Sequence, residues 1–261
     1  MFPGDGYIDE DNRFWEVERV VGRQAWARLR ETVDLLAPDP EAERAAQAAA
    51  ARAAQAGLLD WLLGRPPAEG QRILILHTHN DESYITGDGT AIIQGKGGVH
   101  RVGRALATHL ERQGYQVIHD ETLHLPHDRS AYRRSRRTIL EYLDERPVMV
   151  LDIHRDVVPQ RFYADQIDGQ GITKVRIVIG RQNPTRAANL REAKRIKAVA
   201  DQVHKGYVKG IFLGRGNYNQ DLGPRVLLFE VGAHSNARAS AERSTALLAE
   251  VLDRYLKQFG P

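Results

Sequence analysis

Cysteine is absent from the 261-residue sequence, and this absence excludes disulfide bonds, cysteine-ligated zinc and thiol catalysis. Long hydrophobic runs are absent too. No stretch of 18 apolar residues occurs, so the sequence predicts no membrane span. Met1 is followed by Phe-Pro-Gly-Asp-Gly rather than by a secretory signal. Two expectations stay open: a soluble cytoplasmic protein, or an extracytoplasmic protein whose anchor has been removed.

The sequence also lacks a strong charge of one sign. It has 37 Lys and Arg residues against 34 Asp and Glu residues, a net charge of +3. The basic residues are spread along the chain, unlike the dense basic block of a nucleic-acid-binding tail, so we expect no nucleic-acid partner. A mild positive charge suits an acidic polymer such as a cell-wall glycan. The length fits one large α/β domain with a small appendage, or two small domains.

The pattern of apolar residues divides the chain in two. We interpret residues 1–68 as a helical lead segment or linker, because 15–36 has apolar residues at helical spacing and 41–63 is rich in alanine. Residues 69–261 alternate between short apolar runs and amphipathic stretches, which is typical of one α/β domain. This order predicts a mostly parallel sheet with helices on both faces.

The individual elements follow from the same pattern. The predicted strands are Ile73–Leu76, Tyr115–Ile118, Val148–Ile153, Lys174–Ile179 and Val226–Val231. The predicted helices are Val99–Arg112, Ala131–Arg146, Ala187–Val208 and Ala239–Phe259.

Three of the predicted strands carry polar residues at or near their ends, where ligands bind in such sheets. The first runs into His77-Thr-His-Asn-Asp-Glu82, and the third runs into Asp152-Ile-His-Arg-Asp156. The last contains Glu230 within an apolar run. A carboxylate in such a run is costly unless it is paired or bound to a metal, so Glu230 is the most informative of these residues.

These residues predict a zinc site. Zinc binds imidazole nitrogen and carboxylate oxygen, and a catalytic zinc ion uses three protein ligands. We predict that the ligands are His79 and Glu82, which form an H-x-x-E pair, and His154. Glu230 would then act as general base and general acid. Each residue also has an ordinary interpretation: a chance H-x-x-E pair, a packed or surface histidine, and a glutamate paired with an arginine.

The other histidines are weaker candidates. His77 points to the same side as His79 in an extended segment, so it is either an alternative ligand or a residue that supports the ligands. We favour His79 because it lies further beyond the strand. His100 is a less favoured candidate ligand, and we interpret His119, His124 and His127 as surface residues.

Six ordered motifs resemble the stage II sporulation protein P family of endospore-forming bacteria. The resemblance covers about residues 70–258. The motifs are His77-Thr-His-Asn-Asp-Glu-Ser-Tyr84, Tyr132-Arg-Arg-Ser-Arg136, Asp152-Ile-His-Arg-Asp156, Val178-Ile-Gly-Arg-Gln-Asn-Pro184, Asn217-Tyr-Asn-Gln-Asp-Leu222 and Leu228-Phe-Glu-Val-Gly-Ala233.

The resemblance implies a zinc N-acetylmuramoyl-L-alanine amidase with a fold similar to zinc carboxypeptidases, and possible endopeptidase activity. It implies action on peptidoglycan in the cell envelope during forespore engulfment, in the space between the two membranes, with a lytic transglycosylase and a membrane scaffold as partners. It assigns zinc to His79, Glu82 and His154, and acid–base catalysis to Glu230. Family members usually carry an N-terminal membrane anchor, which is not seen in this sequence.

The remaining motif residues are candidates for substrate binding, because loops on a rigid sheet often carry recognition residues. They are Arg181, Asn183, Arg215, Asn217 and Asn219. An arginine can pair bidentately with a stem-peptide carboxylate, but these residues can equally cap and brace their loop. Asp152 could orient His154 or be a structural acceptor.

Two other functions stay open: a zinc carboxypeptidase or endopeptidase acting on stem peptides, and a non-catalytic wall-binding module.

Overall fold

A mixed β-sheet is the central element of the fold. The computed structural model describes residues 1–48, 51 and 71–260. Within these residues the strands are β1 (Gly6–Ile8), β2 (Arg13–Val21), β3 (Gln24–Thr32), β4 (Arg72–Leu76), β5 (Gln116–His119), β6 (Met149–Asp156), β7 (Ala164–Ile167), β8 (Gln170–Thr173), β9 (Val175–Gly180), β10 (Val208–Gly214) and β11 (Val226–Ala233). Nine of them form one sheet in the order β3-β2-β1-β10-β9-β11-β6-β4-β5, and β7 pairs with β8 separately.

Helices cover both faces of this sheet, as predicted. The helices are α1 (residues 40–48 as far as described), α2 (Ile85–Asp88), α3 (Val99–Arg112), α4 (Ala131–Leu143), α5 (Arg186–Val203) and α6 (Arg238–Phe259). Because side chains alternate along a strand, Ile73 and Ile75 join the larger core under α3, α5 and α6, whereas Leu74 and Leu76 join a smaller core with Ile139 of α4. We call these sides the α3 face and the α4 face.

The strands that follow residue 71 run mostly parallel. β5, β4, β6 and β11 pair in parallel, β11 pairs antiparallel with β9, and β9 pairs in parallel with β10. The carboxyl ends of β4, β5, β6 and β11 therefore meet at one edge of the sheet. The prediction of an α/β fold is confirmed, and the sheet as a whole is mixed because β1, β2 and β3 add antiparallel strands beyond β10.

The prediction of a helix over residues 15–36 is wrong. The first part of the predicted helical lead segment is therefore not helical. Residues 13–32 form a hairpin in which Val21 pairs with Gln24 across a tight turn. Gly22 occupies this turn with a φ of 58°, a conformation that glycine adopts without strain. The residues of β2 are rich in β-branched and aromatic side chains, which favour strands. Residues 40–48 are helical, as predicted, whereas residues 52–63 of the alanine-rich helix and the predicted boundary at residue 68 lie outside the described residues.

The sequence analysis also missed β10. The predicted helix over 187–208 ends at Val203, and Gly206 takes a positive φ of 81° in the turn that follows. The next residues, Val208–Gly214, form a strand between β1 and β9. None of the helices within the described residues combines the length and apolar character that a membrane span needs.

Candidate metal centre

The structure brings His79, Glu82 and His154 together. One ligand atom from each lies within 4.8 Å of the other two. His79 Nδ1 is 3.6 Å from Glu82 Oε1, and His154 Nδ1 is 3.4 Å from Glu82 Oε2. Glu82 and His154 are buried, whereas 17% of the His79 side chain is exposed. The three predicted ligands therefore form a cluster that opens to solvent on the His79 side.

Arg155 holds the Glu82 carboxylate in place. The backbone N–H of Arg155 donates to Glu82 Oε2 at 3.0 Å, and its guanidinium donates to Glu82 Oε1 at 3.4 Å. The same guanidinium donates to the carbonyl oxygens of Ser83 and Ala91, which ties the following loop to β6. Burial by itself would raise the pKa of Glu82, but the charges of His154 and Arg155 hold this pKa well below its usual range. Glu82 is therefore an ionised carboxylate, the form that binds a cation.

Asp152 connects the end of β4 to His154. Its carboxylate accepts hydrogen bonds from the backbone N–H and the hydroxyl of Thr78, at 2.8 and 2.7 Å. His154 Nε2 lies 3.0 Å from Asp152 Oδ1 in an ion-pair contact that is not aligned as a hydrogen bond. Asp152 is thus a structural acceptor for Thr78, and its contact with His154 leaves the orienting role as a prediction.

The electrostatic field at His154 favours positive charge. Burial by itself would lower the pKa of His154, but the Asp152 and Glu82 carboxylates raise it well above its ordinary value. A site that stabilises a proton in this way also favours a metal cation in its place, and the two compete for the imidazole. Two imidazoles and a carboxylate form a donor set that suits a divalent transition-metal ion. The residues present therefore fit such an ion.

Glu230 lies beside this cluster. In the parallel pairing of β11 with β6 it is the register partner of His154, and on its other side it pairs with Arg176 of β9. Among the described residues, its buried Oε2 has no hydrogen-bond partner. Burial, together with the Asp156 and Glu82 carboxylates, raises the pKa of Glu230 to about 8. Its protonated and ionised forms are both accessible near neutral pH, as acid–base catalysis requires.

Aromatic side chains form the rim of the cluster, and the sequence analysis named neither Tyr132 nor Tyr218 as a site residue. The Tyr132 ring centroid is 5.4 Å from that of His79 and 6.4 Å from that of His154, and the Tyr218 ring lies 5.3 Å from Tyr132. His127 stacks on His79 at 4.0 Å, and about a third of its side chain is exposed. The sequence held one indication that Tyr132 belongs to the site, namely its position at the start of one of the six motifs. Helix α4 carries this motif, and the helix packs on the α4 face.

His77 belongs to a different group. It projects toward the α3 face, where ligand atoms of His77, His100 and His119 lie within 4.8 Å of one another. The expectation that His119 and His124 lie on the surface is wrong. His124 is buried and bonds to the His77 carbonyl oxygen and the Thr138 hydroxyl. His119 is partly buried and contacts His77.

Three of the predicted substrate-binding residues make contacts within the protein. Arg181 donates two hydrogen bonds to the buried Asp5 carboxylate, at 3.1 and 2.9 Å. Asn183 is buried, and its side-chain oxygen accepts from the backbone N–H of Thr185 at the start of α5. Asn219 is buried and donates to the Tyr132 carbonyl oxygen. These contacts favour the bracing interpretation for the three residues.

The other two predicted substrate-binding residues are more open. Arg215 is exposed, with its guanidinium 5.5 Å from the Phe2 ring centroid. Asn217 is partly buried, and its side-chain oxygen accepts a 3.4 Å hydrogen bond from the backbone N–H of Asp221. Both precede Tyr218, which contacts the rim through Tyr132, so their loop reaches the edge of the cluster.

Comparisons with known proteins agree with this architecture. A curated relative, stage II sporulation protein P of Bacillus subtilis (strain 168), is 28% identical over 199 residues, which are 69% of this chain and 49% of that protein. The chain thus spans about half the length of this relative. The CwlD amidase from Clostridioides difficile, solved in complex with the GerS lipoprotein, superposes with a TM-score of 0.51 at 15% identity, covering 72% of this chain and 99% of that chain. This likeness shows a shared amidase-like fold.

The family model of stage II sporulation protein P (SpoIIP) matches residues 29–253. The match includes β4 to β11 and every residue of the candidate metal centre, so it extends over most of the chain. We conclude that this chain belongs to the stage II sporulation protein P family.

Proposed function

We propose that this chain is a zinc-dependent peptidoglycan hydrolase that cleaves the amide bond between N-acetylmuramic acid and the L-alanine of the stem peptide. The observation that carries the proposal is the position of Glu230, whose unpartnered Oε2 lies beside the cluster of His79, Glu82 and His154. Membership in a family named for sporulation and the amidase-like fold support it.

His79, Glu82 and His154 would hold the zinc ion. The Glu82 carboxylate is ionised, and Arg155 fixes its position. Asp152 faces the second nitrogen of His154, an arrangement that orients a metal-binding imidazole and increases its basicity. When bound, zinc would supply Lewis-acid polarisation of the scissile carbonyl and would make an adjacent water molecule more acidic.

Glu230 supplies the proton transfers. Its carboxylate accepts a proton from the water that attacks the lactyl amide carbon. The resulting carboxylic acid then donates this proton to the L-alanine nitrogen as the carbon–nitrogen bond breaks. The products are a free lactyl carboxylate on the glycan and a free amine on the peptide. Arg176 is the register partner of Glu230 on the adjacent strand β9, and its charge limits the rise in the pKa of Glu230. This keeps the carboxylate form available.

Tyr132 and Tyr218, which lie at the rim of the cluster, are the side chains that we expect to contact the substrate there. Burial raises the pKa of Tyr132 well above its ordinary value, so its hydroxyl remains a hydrogen-bond donor. A donor at this position can stabilise negative charge that develops on the carbonyl oxygen. Arg215 and Asn217 are the predicted recognition residues that remain open for contact with the stem peptide.

Family membership supports a proposal about the biological setting. We place the activity outside the cytoplasm, in the cell envelope of a sporulating cell during engulfment, with peptidoglycan as the substrate. A lytic transglycosylase and a membrane scaffold are the expected partners.

The proposal is tested on purified sacculi. The full chain should release peptides that begin with a free L-alanine amine and leave glycan strands intact, as measured by liquid chromatography and mass spectrometry. A chelator should abolish release, and added Zn²⁺ should restore it. Equal activity after metal removal would rule out the zinc mechanism.

The products also separate the alternatives. Cleaved stem peptides with intact N-acetylmuramic acid–L-alanine bonds would instead support the carboxypeptidase or endopeptidase. Tight sacculus binding without any product would support the wall-binding module.

A further inference from the structure

A second group of histidines lies on the opposite side of the sheet from the candidate metal centre. His77 follows β4, His119 ends β5, and His100 is in the first turn of α3. One ring nitrogen from each lies within 4.8 Å of the other two. The ring centroids of His77 and His100 are 4.5 Å apart, and those of His77 and His119 are 5.1 Å apart. None of the three belongs to the cluster on the α4 face.

The ring nitrogens of this group are poorly satisfied. Within the described part of the chain, both nitrogens of His100 and Nδ1 of His119 are buried without a hydrogen-bond partner. Buried polar atoms are nearly always paired, and leaving one unpaired is unfavourable. A ligand that binds these three nitrogens, which belong to two neighbouring rings, would remove this unfavourable state.

The hydrogen bonding of the His77 ring is typical of a histidine that binds a metal ion. Its Nδ1 lies 2.9 Å from the Ile153 carbonyl oxygen and must donate to it, because the carbonyl can only accept. The lone pair of the neutral ring is therefore on Nε2, which lies 2.9 Å from Nε2 of His119. A backbone carbonyl that fixes one nitrogen and leaves the other facing the ion is the usual support for such a ligand.

Gly103 lets α3 approach the group closely. A Cβ atom at this position would lie 2.6 Å from the His77 ring and 2.8 Å from His119 Nε2. Glycine is less favourable than alanine inside a helix. Its presence at position 103 is explained by the lack of space for a side chain next to the histidine rings. The histidines thus occupy a packed site formed by two strands and a helix.

We propose that His77, His100 and His119 form a second metal site, which binds one divalent late transition-metal ion. Three imidazoles without a carboxylate favour zinc, cobalt, nickel or copper over magnesium and calcium, which prefer oxygen ligands. The site is separate from the proposed zinc hydrolase centre, and it does not depend on that function. Because His77 and His79 are two residues apart, an ion at this site would also anchor the segment that carries His79 and Glu82.

Proton competition at this site is weak. Burial lowers the pKa of His100 to about 4 and that of His119 to about 4, so both rings are neutral ligands at physiological pH. His100 lines a surface cavity of about 330 Å³, so the group lies next to open space at the surface. The basic residues Lys96 and Arg104 at this cavity both pair with Glu121, which offsets one of their two positive charges. The other two basic residues of the lining, Arg101 and Arg238, pair with Glu242.

Binding requires the three rings to move, because their nitrogens lie within 4.8 Å of one another and are not yet at the separation of a coordinated set. Tetrahedral coordination with metal–nitrogen distances of about 2.0–2.1 Å separates the nitrogens by about 3.3 Å. The Nε2 atoms of His77 and His119 would therefore move apart by about 0.4 Å from their 2.9 Å separation. Rotation of the partly buried His119 ring can supply this movement.

The test counts metal ions. The full chain is stripped with a chelator, dialysed and equilibrated with Co²⁺, and bound metal is measured by elemental analysis. We expect two equivalents for the wild type and one for His100→Gln or His119→Gln. His109→Gln, a change on the same helix outside the group, should keep two. Glu82→Gln should lose the other equivalent. Circular dichroism verifies the fold of each variant.

The outcomes distinguish the two sites. If one equivalent binds and is lost in Glu82→Gln but kept in His100→Gln, the second site is overturned. If both equivalents persist in both histidine variants, it is also overturned. A single equivalent that depends on His100 but not on Glu82 would support this site and refute the proposed zinc centre.

A measurement on the wild type avoids the risk that the histidine variants fail to fold. In ¹⁵N-imidazole spectra of the Zn²⁺-saturated protein, the ring nitrogens of five histidines should take metal-bound chemical shifts, two from the first centre and three from the second. A response confined to two rings would overturn the second site.

Discussion

Glu230 and His154 are register partners on the adjacent parallel strands β11 and β6. Neighbouring strands are about 4.8 Å apart, so this pairing places a carboxylate with an unpartnered oxygen next to an imidazole of the candidate metal centre. The two residues are 76 positions apart in the sequence. Their proximity depends on the order of strands in the sheet, and it brings Glu230, the proposed proton-transfer group, next to the proposed metal ligands.

Glu230→Gln should reduce amide hydrolysis by about 10²- to 10⁴-fold, because the neutral amide cannot accept a proton from water. Zinc content should stay unchanged, since Glu230 is outside the proposed ligand set. Product release from sacculi and elemental analysis measure the two quantities. Undiminished hydrolysis in the variant would remove Glu230 from the mechanism.

Asp152→Asn should weaken zinc binding at the first centre by about 10- to 100-fold, because the carboxylate that faces His154 is lost. Affinity is measured by competition with a chromophoric chelator in His100→Gln, which restricts binding to that centre. Asp253→Asn is the matched control, since Asp253 contacts Tyr115 and Lys257 away from both histidine groups. An Asp152 variant with the same affinity as this control would contradict the orienting role.

Gln220→Leu should lower the free energy of unfolding by about 2–4 kcal/mol, because two buried backbone groups lose their partners. The fully buried Gln220 side chain accepts from the Gly180 N–H at 2.8 Å and donates to the Val178 carbonyl oxygen at 2.7 Å. Urea denaturation measures the change, with the exposed Gln202→Leu on α5 as the control. Equal loss in both variants would show that the two backbone contacts contribute little.

Lys209 should make stability depend on pH. Burial, with a further contribution from Arg176, lowers the pKa of this lysine from 10.5 to about 8. Its ammonium donates to the Phe162 carbonyl oxygen at 2.7 Å. Between pH 8 and 10.5 the unfolded chain holds a proton that the folded protein has released. The free energy of unfolding therefore rises with pH across this window.

The comparison with Lys209→Met isolates this effect. From pH 7.5 to 10.5 the wild type should gain about 1–2 kcal/mol relative to the variant, after allowance for partial solvation of the ammonium. Urea denaturation of both proteins at each pH gives the difference, in which the titration of the tyrosines cancels. Parallel curves for the two proteins would contradict the lowered pKa.

The regular elements after residue 71 were predictable because their apolar patterns are strong. Helix α3 was predicted to the residue, and β4 within one residue. The hairpin of β2 and β3 was missed because its apolar residues also fit a helical spacing, and β3 is exposed along its whole length. Strand β10 was missed because Lys209 and Gly210 interrupt a short apolar run that follows a helix.

The sequence was sufficient to predict which residues form the candidate metal centre. The H-x-x-E pair, the histidine after the third predicted strand and the glutamate inside the last one are local features, and each is chemically unusual where it stands. Local features of this kind can be read without knowledge of how the strands are arranged. They led to a cluster that the structure does form from His79, Glu82 and His154.

The separation of the histidines into two groups required the folded structure. Extended geometry suggested that His77 and His79 point the same way, but β4 ends at Leu76 and the chain turns. His77 therefore continues toward the α3 face with Ile73 and Ile75, while His79 meets His154 on the α4 face. His100 and His119 reach His77 only through packing of α3 and the pairing of β5 with β4. Contacts between such distant segments depend on strand order and helix packing, which no local pattern encodes.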